Sequence, residues 1–160
     1  MNRWILLLLL AAPLPALAGE CDHWKAEMME EEEGTVMSAY ICVPRGDATI
    51  ELYVRCAGPN DLMLRYIPIV PTDYPPKAGM YTTELEFNFD QEMFTRPAQY
   101  EEMDGALVTE TAIDAPFVYV LQAQKQMTII DVNDKIPSAT FTLEGAKAAL
   151  TKVIAACRKP

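Results

Sequence analysis

Hydrophobic and polar residues alternate along two segments of the chain, 48–56 and 82–90. In the first segment every second position from Ile50 to Cys56 is apolar, and the positions between them are polar or aromatic. Because successive side chains of a strand point to opposite faces, this alternation predicts strands with one face in the core and the other in water. Further strands are predicted over 35–43, 62–67, 98–103, 106–111, 126–132 and 138–143.

Turn-forming residues separate most of these strands. They occur at 44–47, 58–61, 104–105 and 133–134, where proline, glycine, asparagine and aspartate favour reversal of the chain. The proline-rich stretch 68–80 predicts an extended loop, since proline cannot donate a hydrogen bond to a sheet. Residues 19–34 are predicted as an acidic entry segment that precedes the first strand.

Two helices complete the predicted elements. Asp114 as N-cap and Pro116 in the first turn favour a short helix over 116–125, although its aromatic and β-branched residues also suit a strand. Apolar residues recur at the spacing of one helix face over 144–157, which predicts a C-terminal amphipathic helix. The fold class predicted is α+β: a mainly antiparallel curved β-sheet or sandwich with a short helix and a C-terminal amphipathic helix.

The first residues have the pattern of an export signal. Arg3 gives a positive start, 4–12 is apolar, and small residues end the segment at Ala18. The apolar run is well short of the roughly 20 residues that a membrane-spanning helix needs. A lipid-modified Cys21 is disfavoured because Glu20 precedes it. Residues 1–18 are therefore predicted as a cleaved signal peptide and residues 19–160 as a single exported domain, periplasmic in a Gram-negative bacterium.

Four cysteines follow the predicted leader, an even number that suggests two disulfides in an oxidising compartment. No pair has the close spacing of a zinc or redox CxxC motif. Of the three possible connectivities, the pattern favours Cys56–Cys157, because both residues fall on predicted core-facing positions. Cys21 and Cys42 then pair, and a Cys42–Cys56 bridge would overturn this assignment.

Charge excludes two classes of partner. The chain has 160 residues, with 23 acidic residues against 13 basic ones and a net charge of −10. Because the predicted leader contains Arg3 and no acidic residue, its removal changes the net charge to about −11. Binding to nucleic acid or to an anionic membrane surface calls for a basic protein. We therefore expect neither kind of partner.

Residues for catalysis are few. The only histidine is His23, the only serines are Ser38 and Ser138, and no nucleophile motif or glycine-rich phosphate loop occurs. Carboxylates are abundant, but in a chain with 23 of them their presence is no sign of an acid–base pair. We expect no enzymatic activity and no cofactor.

Two parts of the chain resemble a known family. Cys21 and Trp24 form an early Cys-x-x-Trp, and the last 25 residues contain a strand, a Leu-x-Gly and a helix that ends in Cys157. These features resemble small exported proteobacterial proteins of the invasion-associated locus B kind and related accessory proteins of type VI secretion. The resemblance implies a periplasmic β-rich protein without catalytic residues, and it carries over no site residue.

The sequence thus favours a non-catalytic periplasmic binding or accessory protein. It would recognise a periplasmic or envelope protein, for example a basic one, or another cell-envelope component through an acidic surface. The candidate contact residues are acidic or aromatic: Glu30, Glu31, Glu32, Glu33, Tyr74 and Tyr100. The alternative is a protein that handles copper or zinc through His23, Met28 and Met29, since imidazole and thioether groups suit copper. No MxM or MxxM cluster supports that alternative, so no metal ligand is assigned.

Overall fold

The computed structural model describes residues 21–31, 34–68 and 81–158, which form one nine-stranded antiparallel sheet and two helices. The strands are β1 (Lys25–Glu31), β2 (Gly34–Arg45), β3 (Ala48–Gly58), β4 (Asp61–Ile67), β5 (Thr82–Asn88), β6 (Met93–Glu101), β7 (Ala106–Ala112), β8 (Gln126–Asp131) and β9 (Ala139–Thr142). The helices are α1 (Pro116–Ala123) and α2 (Ala146–Cys157). In space the strands follow the order β1-β2-β3-β4-β7-β6-β5-β8-β9. The predicted α+β class is confirmed.

The sheet curves so that its last strand lies over its first four. Phe141 of β9 meets Tyr66 of β4 edge to face, with ring centroids 6.3 Å apart. The Tyr66 hydroxyl donates to the Pro137 carbonyl at 2.8 Å, just before β9. Next to β1, the Trp24 indole N–H donates to the Thr142 carbonyl at 2.9 Å. These contacts join the two ends of the open sheet around one hydrophobic core.

Helix α1 is held by a cluster of phenylalanines on the inner face of β5 and β6. Phe117 packs against Phe87, Phe89 and Phe94, with centroid distances of 5.0, 6.1 and 5.5 Å. The guanidinium of Arg96 lies 4.8 Å from the centroid of the Phe117 ring, close enough for a cation–π contact. Burial of these rings explains why 116–123 is a helix although its residues also suit a strand.

Helix α2 covers the inner faces of β1, β2 and β3. Its buried residues are Ala146, Ala149, Leu150, Val153 and Cys157, which recur at helical spacing. The helix begins after Gly145, whose φ of 85° is a left-handed conformation that favours glycine. The Gly145 backbone lies close to Trp24, so the start of α2 and the start of β1 are packed together.

Two disulfides link these elements, and both predicted pairings are confirmed. Cys56 of β3 pairs with Cys157 at the end of α2, with Cα atoms 5.4 Å apart. Cys21 pairs with Cys42 of β2, with Cα atoms 4.8 Å apart. The first bridge ties the C-terminal helix to the sheet, and the second fixes the segment that leads into β1.

Three details of the prediction require correction. Residues 25–31, predicted as part of an acidic segment before the first strand, form the edge strand β1, because backbone pairing with β2 needs no hydrophobic alternation. Strand β6 begins at Met93 rather than at residue 98, so it contains Pro97. The pairing of β6 with β7 covers only residues 99–101 of β6, so the N–H that Pro97 lacks is not needed for a bond to β7. Helix α1 has Ala115 rather than Asp114 as its N-cap. The predicted leader and nearly all of loop 68–80 lie outside the described residues.

Candidate functional site

The outward face of β2, β3 and β4 carries the polar and aromatic residues that alternate with the core. Register places Arg55 of β3 opposite Met63 of β4, and Tyr53 opposite Arg65. On the other side of β3, Arg55 is opposite Ser38 of β2. Since the intervening residues are buried in the core, this face is fixed by the same pairing that builds the fold.

A groove of 920 Å³ crosses this face. One end is formed by Glu30 and Glu31 beside the β1–β2 turn. The opposite end is formed by Met103 and Asp104 in the β6–β7 turn. Its other lining residues are Met29, Gly34, Thr35, Val36, Ser38, Tyr53, Arg55, Cys56, Met63, Arg65 and Ile67. The groove therefore combines acidic ends with a mixed floor, in which apolar and aromatic side chains lie beside two arginines.

Two arginines lie under the groove and are neutralised by its acidic residues. The Arg55 and Arg65 side chains are only 16% and 12% exposed. Arg55 forms an ion pair with Glu31. Arg65 pairs with Glu101 at 3.0 Å and with Asp104 at 2.6 Å. The pKa of Arg55 is lowered, mainly by burial and secondly by the positive charge of Arg65. The negative charges of Glu101 and Asp104 act in the opposite direction and raise it.

The acidic residues are thus held in place by the arginines and still outnumber them. Glu30, Glu31, Glu101 and Asp104 carry four negative charges against two positive ones. Glu30, Glu31 and Asp104 are exposed, whereas both guanidinium groups are mostly covered. A ligand in the groove therefore meets a negative potential.

Beside the groove, two tyrosines form a stacked pair. The rings of Tyr40 and Tyr53 are 5.5 Å apart at an interplanar angle of 21°. The Tyr53 hydroxyl donates to Glu51 at 2.8 Å, and the Tyr40 hydroxyl donates to Glu27 at 3.1 Å. Burial, followed by the hydrogen bond and charge of Glu51, raises the pKa of Tyr53 above its usual range. The Tyr53 phenol is therefore neutral at physiological pH, and the flat faces of the two rings extend the apolar surface.

The structure brings together some of the predicted contact residues. Glu30 and Glu31 lie at one end of the groove. Glu32, Glu33 and Tyr74 lie outside the described residues. Tyr100 is only 7% exposed and belongs to the core, which corrects the expectation that its ring lies on the surface. The physical reason is strand parity: Tyr100 points inward from β6 and its neighbour Glu101 points outward, toward Arg65.

Sequence reasoning did not identify Arg55, Arg65, Met63, Met103 or Asp104 as site residues. Alternation in β3 and β4 already places the first three on the polar face. The contact between Arg65 and Asp104 joins residues 39 positions apart, and it depends on β7 pairing with β4. That pairing is a property of the sheet order, for which local sequence carries no signal.

The residues of the metal-handling alternative do not converge. Met28 and Met29 are neighbours on β1, so their side chains point to opposite faces of the sheet. His23 precedes that strand by two residues. Across residues 21–31, 34–68 and 81–158, no group of three or more histidine, cysteine or acidic side chains is arranged to hold a metal ion.

A smaller hollow of 360 Å³ lies between β5 and the β8–β9 loop. Beside it, the buried Asp131 carboxylate accepts hydrogen bonds from the Thr83 hydroxyl and from the backbone N–H groups of Asn133 and Lys135. The Asn133 amide also donates to the Thr83 hydroxyl at 2.9 Å. These bonds fasten the loop to β5, so Asp131 has a structural role.

Comparison with known proteins gives no relative. No family model, no curated protein and no solved structure matches the chain. In the part of the chain that is described, neither helix is long and apolar enough to cross a membrane. The groove is therefore the feature of the molecule from which a function can be inferred.

Proposed function

We propose that this protein is a non-catalytic periplasmic binding or accessory protein that holds a basic segment of an exported or envelope protein in its groove. The observation that carries the proposal is the charge arrangement. Acidic residues stand at both ends of the groove, and its arginines are covered and already paired. A basic segment is the partner whose charge complements this arrangement.

The floor of the groove supports the same partner. Met29, Met63 and Tyr53 offer polarisable and aromatic surface between the acidic ends. Lysine and arginine have long apolar stems with a charged head, so such a side chain can lie along methionine and tyrosine while its head reaches a carboxylate. The groove thus accommodates both parts of a basic side chain.

Three features of the sequence support the location and the class. The first residues have the pattern of a signal peptide, and both disulfides suit an oxidising compartment. The resemblance to exported proteins of the invasion-associated locus B kind agrees with a periplasmic protein that works by binding.

The proposal is tested by capture from periplasmic extract, with the oxidised protein as bait, at low and at high salt. We compare the unchanged protein with Asp104→Lys, which places a positive charge at one end of the groove. Glu92→Lys is the matched control, since Glu92 is an exposed acid at the β5–β6 connection. Asp104 is exposed and Arg65 keeps its ion pair with Glu101, so neither variant should unfold the protein.

A basic partner should be captured by the unchanged protein and by Glu92→Lys. It should be released at about 1 M salt, where charges are screened beyond about 3 Å. Capture by Asp104→Lys should be clearly weaker. Capture that resists salt, or that is equal in the two variants, would show that the acidic groove is not the binding surface.

A further inference from the structure

We propose that the edge of β1 binds the partner's basic segment as an added tenth strand of the sheet. This inference rests on the proposed function and specifies how the partner is bound. It starts from the position of β1, which ends the sheet at one side and, within the described residues, pairs only with β2. In an antiparallel edge strand every second residue points its N–H and C=O away from the neighbour, where another strand can bind them.

The two edges of the sheet differ in what they offer. β9 has only four residues, and the carbonyl of Thr142 at its end already accepts the Trp24 indole N–H. β1 has seven residues, and Glu27, Met28, Glu30 and Glu31 are exposed. A seven-residue edge has room for a strand of typical length. Strand addition is therefore expected at β1.

The side chains of β1 select the chemistry of the added strand. Glu27 and Glu31 point to the outward face, the face that carries the groove. Met28 points to the other face and is 55% exposed. Side chains of an added strand would lie beside these residues in the same alternation. Lysine or arginine would pair with the glutamates, and an apolar residue would cover the methionine.

The same charges disfavour a second copy of this chain. Each β1 carries three acidic residues and one lysine. Two copies paired edge to edge would therefore bring six acidic residues together against two lysines. Like charges on an edge strand are a common device against self-pairing. At β1 the acidic side chains disfavour pairing with a neutral or acidic strand and favour pairing with a basic one.

The test uses two synthetic peptides of eight residues with equal charge. One alternates lysine with valine and can form a strand. The other alternates lysine with proline, which has no N–H to donate. We expect the lysine–valine peptide to bind about tenfold more tightly or better, because only it can form the backbone hydrogen bonds. We also expect it to slow hydrogen exchange of amides in 25–31, with no such effect from the lysine–proline peptide.

Substitution of β1 gives a second measurement. Along a strand, successive backbone N–H groups point alternately toward one neighbouring strand and away from it. Of the variants Met28→Pro and Met29→Pro, one therefore removes a hydrogen bond to β2 and the other removes an N–H on the free edge. The variant that retains its folding stability should lose the preference for the lysine–valine peptide and still bind the lysine–proline peptide. If both variants unfold, hydrogen exchange on the unchanged protein decides the question.

The outcomes separate this inference from the proposed function. Equal binding of the two peptides without protection of 25–31 would overturn strand addition and leave the acidic groove as the binding surface. Absence of binding by either peptide would contradict both proposals. A concentration-dependent dimer with protected β1 amides would replace the basic partner by a second copy of the chain.

Discussion

The Cys56–Cys157 bridge is predicted to stabilise the protein more than the Cys21–Cys42 bridge does. The perturbation is the removal of each bridge in turn, as Cys56→Ala with Cys157→Ala, and as Cys21→Ala with Cys42→Ala. Alanine is chosen because Cys157 is buried, and a serine hydroxyl there would need a hydrogen-bond partner. The two variants lose the same number of sulfur atoms, so each is the control for the other.

The magnitude follows from the lengths of chain that the bridges close. The cysteines are 101 residues apart in one bridge and 21 in the other. On the chain-entropy model these loops correspond to about 4.7 and about 3.3 kcal/mol at 25 °C. The difference of about 1.4 kcal/mol depends only on the ratio of the loop lengths. Changing the buried Cys157 to alanine also leaves a cavity, which lowers the free energy of unfolding further. This effect falls on the variant that already loses more stability, so the order of the two variants stays the same.

The assay is unfolding in urea, with the free energy of unfolding extrapolated to water and mass spectrometry to show that the remaining bridge is intact. Loss of the long loop should also increase the dependence of this free energy on urea, because the unfolded chain becomes less compact. An equal or larger loss of stability on removal of Cys21–Cys42 would refute the reasoning. It would mean that the segment before β1 contributes more than loop closure predicts.

Two further predictions concern buried polar groups. Asp131→Asn should lower the free energy of unfolding by about 1–3 kcal/mol, because Asp131 is 2% exposed and its carboxylate accepts bonds from three donors. The exposed neighbour Asp134, changed to asparagine, should alter it by less than about 0.5 kcal/mol in the same urea assay. Burial raises the pKa of three tyrosines in the folded protein, Tyr53, Tyr66 and Tyr100, above the value in the unfolded chain. Their contribution to stability is therefore complete below about pH 10 and is lost as pH rises further. Phenolate absorbance in an alkaline titration should show that these three tyrosines ionise above about pH 10 or together with unfolding.

Much of the fold is predictable from sequence because burial imposes a period on it. Segments with one face in the core, such as β3 and β5, alternate clearly. The helical spacing over α2 identified its buried face, and the core-facing positions of Cys56 and Cys157 led to the correct pairing. In each case a residue's surroundings follow from its neighbours in the chain.

Two errors have the opposite cause. β1 is an edge strand with most of its residues exposed, so its sequence has no burial pattern to read. Tyr100 stands next to two glutamates, so its sequence neighbours predict an acidic surface. Its direction depends on the register of β6 within the sheet, and that register brings Glu101 rather than Tyr100 to the surface. Exposure of single residues is therefore less predictable than the element that contains them.

The groove and the core are specified together. A slip of β3 by one residue relative to β2 and β4 would turn Tyr53 and Arg55 into the core and expose Leu52 and Val54, which are fully buried in the native register. An unpaired arginine in the core would be strongly unfavourable, so the slipped sheet loses hydrophobic burial and gains a buried charge. The native register avoids both costs, and in doing so it places the two arginines where acidic residues from β1 and the β6–β7 turn can pair with them. The acidic surface therefore does not require a cluster in the sequence, because sheet order assembles it from residues that are far apart in the chain.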